Sequence, residues 1–267
     1  MADVTVRWAG PADAASASTY KVERTLNNVD WTTLAATQAA SSPYVSVSST
    51  LASNHAYGAA TISLASGTSF SAAGYGWLED ALVQWTGKTS NDLTGVTWHS
   101  GYGTYASGTR LYEAHESYAD TGITISLHAV LYRITHTNAA GEVSAPKYIW
   151  YYAPPTPESS DHCVVVVNVN SDLGIEARSG ISVDAYLAAD TDFASVSGAH
   201  LDAEESADKR QTTNAFGLAF FHCWKNSARA ETLAYTFVLD AGAADTSRTE
   251  SVVTVPDRNW VLLADLI

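Results

Sequence analysis

The stretch Thr86-Gly-Lys-Thr-Ser-Asn-Asp-Leu-Thr-Gly-Val96, TGKTSNDLTGV, decides whether this chain holds a nucleotide phosphate at the head of a helix or turns a strand around. A phosphate-cradling loop needs a glycine five positions before its Gly-Lys pair, so that the backbone can curl and aim N–H groups at the phosphate oxygens. Position 82 is Leu. The strand-like Leu82-Val83-Gln84-Trp85 precedes the lysine, but Ser90, Asn91, Asp92 and Gly95 follow it, which is turn chemistry and not the opening of an amphipathic helix. The hairpin reading therefore stands. It has Gly87 and Gly95 taking backbone angles that side chains oppose and Lys88 pointing into water.

Outward from this hairpin the chain repeats one pattern. Val4-Thr-Val-Arg-Trp8, Tyr20-Lys-Val-Glu-Arg24, Trp31-Thr-Thr-Leu34 and Leu131-Tyr-Arg-Ile-Thr135 each alternate apolar and polar side chains, the mark of half-buried antiparallel strands. Asn27-Asn28 and Asn138-Ala-Ala-Gly141 punctuate them as turns. Only Arg110–His115 suggests a short turn or helix. Composition agrees: 14 Tyr and 8 Trp stand against a single Met, and Thr, Ser, Val and Ala suit pleated surfaces joined by polar turns.

The 267 residues allow about two domains with separate cores. A hydrophobic share of 46% with 16% charged residues describes a globular chain. The formal net charge of −14 repels nucleic acid and favours solubility. No window of about 18 apolar residues offers a membrane span, and Met1–Trp8 has neither the basic nor the apolar region of a secretory signal. Cys163 and Cys223 have no CxxC partner and no histidine cluster nearby, so zinc is not expected; they could form one disulfide, but a chain without an export signal is made in reducing cytosol, and two buried free thiols are the expectation. His99, His115, His128 and His136 are scattered singly and read as packing or surface residues.

Tyr152-Ala-Pro-Pro-Thr-Pro-Glu-Ser-Ser160 puts three of the seven prolines in one polar run and marks a linker at 154–160. Before it, Leu131-Tyr-Arg-Ile-Thr-His-Thr-Asn-Ala-Ala-Gly-Glu-Val-Ser-Ala-Pro146 resembles the F strand and F–G turn of fibronectin type III domains. Val4–Trp8 is similar to strand B, Thr19–Arg24 to strand C, Trp31–Leu34 to C′, and Tyr118–Gly122 to the approach to strand F. The resemblance implies a sandwich over 1–153, with the Tyr132 ring inside and its hydroxyl holding a corner.

Such a module takes about 90–100 residues, so the surplus at 54–116 is an insertion. Its sequence, Thr61–Leu64, Gly74-Tyr-Gly-Trp-Leu78, Ala81–Lys88 and Asp92-Leu-Thr-Gly-Val96, resembles a small β-module recurrent in bacteriophage tail and baseplate proteins. It departs from that pattern at Ala81, where an acidic residue is usual, and at Trp98-His99, where an Arg-Gly pair is usual. From 161 to 267, His162–Val169 is a continuous apolar run expected to be covered on both faces. With Gly180–Leu187, Thr212–Phe221, Tyr235–Leu239, Ser251–Val255 and Trp260–Leu263 it resembles the transthyretin-like, or carboxypeptidase-regulatory, β-sandwich, a structural attachment in which Asn214 and Gly217 make a tight turn.

No Gly-x-Ser-x-Gly elbow is present. Ser100 follows His99, but neighbours on an extended chain point opposite ways, so His99 is not placed as its base. Glu79, Asp80, Glu113 and Glu116 lie close in sequence to Trp77, Trp85 and Trp98; paired acids beside aromatic platforms are the material of glycosidases and of sugar-binding surfaces. The competing reading makes the tryptophans the filling of a small core. Asp190, Asp192, Asp202, Glu204, Glu205 and Asp208 lack calcium-loop spacing and read as a solvated acidic loop.

These readings lead to an all-β chain of two β-sandwich domains, the first carrying a β-rich insertion. The expected role is a structural component of a phage virion, in the tail or baseplate, made in the host cytoplasm. It is expected to have no catalytic residues, cofactor or metal, and to work through contacts with other virion proteins in a symmetric multi-copy assembly. The insertion and Val261–Ile267 are the expected docking surfaces. The alternative is a host-recognition module binding cell-surface glycan. Trp77, Trp85, Trp98 and Tyr102 are the candidate contacts with carbohydrate or partner.

Overall fold

The computed structural model describes residues 2–10, 19–40, 47–79, 81–101, 103–169, 179–187, 210–228, 234–240 and 249–266. Among them are strands and two short 3-10 turns, with no α-helix, and no helix is long and apolar enough to cross a membrane. The chain divides into two compact units: Met1–Thr25, Trp31–Thr124 and Leu131–Tyr151 form the first, and Leu26–Asp30, Ile125–Val130 and Tyr152–Ile267 the second.

The strands up to the proline-rich run are β1 (Ala2–Trp8), β2 (Thr19–Thr25), β3 (Trp31–Ala39), β4 (Ser48–Thr50), β5 (His55–Ala56), β6 (Thr61–Ser63), β7 (Gly74–Leu78), β8 (Ala81–Trp85), β9 (Gly87–Thr89), β10 (Asp92–Thr94), β11 (Thr97–Trp98), β12 (Thr104–Tyr105), β13 (Arg110–Glu113), β14 (Glu116–Ile123), β15 (Ala129–Thr137) and β16 (Lys147–Tyr152). One sheet has the order β16-β15-β2-β3 and a second pairs β1 with β14. That is the G-F-C-C′ order facing a B–E pair, as in an immunoglobulin-like sandwich. Alternation puts Val4, Val6 and Trp8 of β1 and Tyr20 and Val22 of β2 in the core, each worth about 1.5–3 kcal/mol of burial. Tyr118–Gly122 belongs to a full strand paired with β1. Both expected turns are present: Asn28 has φ +62°, and the Asn138 side chain accepts the N–H groups of Ala140 and Glu142.

Tyr132 is fully buried, and its hydroxyl donates to Asp120 Oδ2 at 3.0 Å. Asp120 Oδ1 in turn accepts from Arg24 at 2.6 Å. The corner is thus held by an Arg–Asp–Tyr relay. Burial first, and then the Asp120 charge, push the Tyr132 pKa well above that of an ordinary tyrosine.

A second ionic cluster joins Lys21, Glu23 and Arg133 across β2 and β15. Burial alone would raise the Glu23 pKa, but hydrogen bonds and charge from Lys21 and Arg133 outweigh it and leave the pKa below the ordinary 4.5. A depressed carboxyl pKa adds stability above the unfolded-state value that is lost as pH falls through the folded one. Glu23→Gln should therefore lower the denaturation midpoint at pH 7, and the gap from the parent should close in acid below the folded pKa. An equal gap at both pH values would contradict the assignment.

Together with β4, which precedes residue 54, the insertion builds a five-stranded sheet, β11-β8-β7-β13-β4; its own strands add a three-stranded sheet, β6-β10-β9, and the pair β12-β5. Arg110–Glu113 is a strand and not a helix, since β7 and β4 take up its backbone hydrogen bonds on both sides. The core between these sheets comprises Leu51, Ile62, Leu64, Phe70, Leu78, Ala81, Val83, Trp85, Leu93, Trp98, Tyr105 and Leu111.

Thr86–Val96 is a hairpin of its own, with β9 paired to β10 around Ser90-Asn91 and φ +54° at Ser90. Gly95 has φ +62°, whereas a Cβ on Gly87 would lie 2.7 Å from Thr94 Oγ1, so Gly87 answers a close approach and not a left-handed backbone. Lys88 does not point into water. Its Nζ donates to the carbonyls of Gly67 at 3.1 Å, Thr68 at 3.3 Å and Phe70. Asn91 holds the same segment from the other side, its Oδ1 accepting from Gly67 N at 2.8 Å. A Cβ on Gly67 would meet Asn91 Cα at 2.8 Å, so this docking needs glycine. The lysine of the TGKT run is therefore a loop clamp. Lys88→Met, which keeps the aliphatic stem, should cost about 1.5–3 kcal/mol and speed amide exchange in 65–70; unchanged stability and exchange would contradict the clamp.

The second unit carries β17 (His162–Asn168), β18 (Ser182–Leu187), β19 (Arg210–Thr212), β20 (Leu218–Trp224), β21 (Ala234–Asp240), β22 (Thr249–Thr254) and β23 (Trp260–Leu262), in two sheets ordered β20-β17-β23 and β19-β18-β21-β22. β17 is central in its sheet, and Cys163 to Val167 are all buried, as its apolar run implies. The Asn214 turn forms as expected: its Oδ1 accepts from Phe216 N and Leu218 N, and Gly217 has φ +71°. Val261 and Leu263 are buried, and Val261 lies opposite Val165 in a parallel pair. The expected docking role of Val261–Ile267 is thereby corrected for these two residues, which close a core; Ile267 lies outside the described residues.

Candidate functional site

The β7–β8–β13 register decides what the insertion shows to its surroundings. Tyr112 stands opposite Trp77, Trp77 opposite Leu82, and Tyr75 opposite Gln84. Alternate residues share a face, so Tyr75, Trp77, Leu82, Gln84 and Tyr112 lie together, on the side away from buried Leu78, Val83, Trp85 and Leu111. Tyr112 is 41% exposed and the other four are half-buried.

Arg7 of β1 lays its guanidinium over the Tyr75 ring, 3.7 Å from the centroid, and Trp77 Nε1 donates to Arg7 O at 3.0 Å. The His99 ring lies 5.9 Å from Tyr75, and its Nε2 is 3.1 Å from Gln84 Oε1. Burial first, and then the positive charge of Arg7, lower the His99 pKa below the ordinary 6.5, so the ring is neutral at pH 7. Its Nε2–H tautomer then donates to Gln84. Arg110 reaches to 6.0 Å from the Tyr112 ring. Flat rings with polar edges, flanked by arginine, are the residue types that dominate binding energy at protein contacts.

The tryptophans separate by role. Trp77 remains on this face. Trp85 is 1% exposed, its Nε1 donating to Ser71 O at 3.0 Å, and the bare Cα atoms of Gly74 and Gly76 make room for its ring. Trp98 is buried against Tyr105 in a stack with centroids 5.4 Å apart, its Nε1 donating to Ala59 O at 2.9 Å. Neither ring has a face to offer a sugar, so the core-filling alternative holds for both. Tyr102 lies outside the described residues.

Among the described residues the acids take separate places. Glu113 is buried in the insertion, its carboxylate 3.3–3.4 Å from Ser71 N. Glu116 is buried on β14 opposite Trp8, in a different sheet. Glu79 is exposed at a turn with φ +54°, and Asp80 lies outside the described residues. Ser100 Oγ accepts from Leu82 N at 2.8 Å, while His99 turns to Gln84 and not to this serine. Among the described residues no cluster of three or more His, Cys, Asp or Glu could hold a metal ion. The acidic run from Asp190 to Asp208 lies outside them.

Sequence reasoning missed Tyr75, Gln84, Tyr112 and Arg7 as parts of one face. The alternation within Gly74–Leu78 and Arg110–Glu113 could have grouped the first three, but only the fold brings Arg7 beside them.

No family model matches the chain, and no curated protein matches it. Among solved structures, a crystal structure of BcpA, the major pilin subunit of Bacillus cereus, aligns with 98% of this chain at 11% identity and a TM-score of 0.26. A variant of the same pilin aligns with 97% at 10% identity and a TM-score of 0.23. The chain spans 62% of that pilin's length in both cases. Scores this low carry no inference about this chain.

Proposed function

We propose that this chain is a structural component of a bacteriophage virion, in the tail or baseplate, acting through contacts with other virion proteins in a multi-copy assembly. Two supports meet in the insertion: its sequence resembles a β-module of tail and baseplate proteins, and one sheet face gathers half-buried Tyr75 and Trp77 and exposed Tyr112 with Arg7 and Arg110. The second observation carries the reading. The polar residues that invite a catalytic interpretation are occupied in holding the fold: Lys88 clamps a loop, Glu113 meets Ser71 N and Ser100 meets Leu82 N. The test is incorporation into purified particles. The parent chain should be present in fixed copy number, and Tyr112→Glu, which alters an exposed side chain and leaves the core alone, should reduce incorporation tenfold or more. Equal incorporation would count against this face.

The same rings favour a second reading, binding of host-surface glycan, because sugar C–H faces stack on such platforms. Glycan-array binding that is lost in Tyr112→Ala and weakened in Trp77→Phe, with folding unchanged, would favour it.

A further inference from the structure

Cys163 and Cys223 stand directly opposite each other in the antiparallel pair of β17 and β20. Hydrogen bonds at either end of that ladder fix which kind of pair they form. Lys225 N donates to Asp161 O, and Val169 N donates to Gly217 O. With a continuous register, alternate positions between these two are hydrogen-bonded pairs, and 163 with 223 is one of them. Val164 N accordingly turns the other way, to Asn259 O beside β23. Opposed Cα atoms in such a pair lie about 5.5 Å apart, inside the range of about 4.4–6.8 Å that disulfides span. Both residues are thiols and both are fully buried.

We propose that Cys163 and Cys223 form a cross-strand disulfide when the folded chain meets a small disulfide oxidant, making this pair a covalent staple across the second unit. One thiolate attacks the oxidant's S–S bond and expels a thiolate, leaving a mixed disulfide. The opposed cysteine then attacks the protein-borne sulfur and expels the second thiol. The protein loses two protons and two electrons, and the oxidant is reduced to two thiols. Cβ atoms of a hydrogen-bonded pair sit further apart than a disulfide wants, so closure must increase the local twist of the two strands. Burial pushes the Cys163 pKa up to about 12, with Lys225 and Arg258 opposing the shift only in part. Few thiolates are therefore present in the closed state, and the reaction proceeds through local opening. The bond would close a loop of about 60 residues that contains β18 and β19, restricting the unfolded chain.

The experiment uses the purified full chain incubated with oxidised glutathione for a day at neutral pH, then denatured and alkylated. The expected result is a mass loss of about 2 Da for the two hydrogens removed, a fall from two alkylated thiols to none, and a peptide linking 163 to 223. The thermal midpoint should rise by roughly 5–10 °C and return on reduction. Cys163→Ser should give no intramolecular bridge. Two thiols still open to alkylation, a reaction that stops at a glutathione adduct, or a bridge between two chains would each overturn the proposal.

Discussion

Asp120→Ala is expected to destabilise the first unit by about 3 kcal/mol, because removing one member of a buried ion pair leaves its partners uncompensated. Asp120 is buried, with one oxygen on Arg24 and the other on the Tyr132 hydroxyl. Loss of the carboxylate strands a guanidinium and a buried hydroxyl together. The figure sits at the low end for such pairs because the Arg24 side chain keeps 21% of its exposure and can recover some water. Tyr132→Phe should cost only about 1 kcal/mol, since Asp120 keeps Arg24. The two losses should not add in the double variant, since the hydrogen bond they share can be lost only once. Chemical denaturation of the four proteins completes the cycle. Additive losses would mean that the three groups do not act as a unit.

Trp85→Ala should cost about 3–5 kcal/mol, the range for deleting a large aromatic from a packed core. The indole fills the space beneath Gly74 and Gly76, contacts Phe70 edge-on at 5.9 Å, and holds the Ser71 peptide through Nε1. Trp85→Phe keeps part of the volume and loses the N–H, so about 1–2 kcal/mol is expected. If the ring served a ligand instead, Trp85→Ala would leave the denaturation midpoint in place and abolish binding alone.

Much of the architecture could be read from alternation. The strand positions of β1, β2 and β15 follow from side chains that must face one core, and β17 from an apolar run that must be covered on both sides, whereas β3 has no buried residue and is held by its pairing with β2. Local turn chemistry at Asn27, Asn138 and Asn214 was legible too: an Asx side chain satisfies nearby backbone N–H groups whatever lies beyond it. What the chain concealed was tertiary. Nothing near Lys88 in sequence announces three carbonyls from 67–70, and the tryptophans of the insertion look alike until the register sends Trp85 inward and Trp77 outward. Arg110–Glu113 looks helical in isolation, and two neighbouring strands override that preference. Tyr132 was expected to hold a corner. Its partner, Asp120, became visible only when β14 was laid against β1.

The proposed role in a phage particle makes the β7, β8 and β13 face the surface that should meet neighbouring subunits. The most direct measurement is a reconstruction of that particle at side-chain resolution. Tyr75, Trp77 and Tyr112 should be covered by an adjoining subunit, with Tyr112 passing from partly exposed to buried. A particle that lacks the chain, or that holds it with these three rings still facing solvent, would contradict the account.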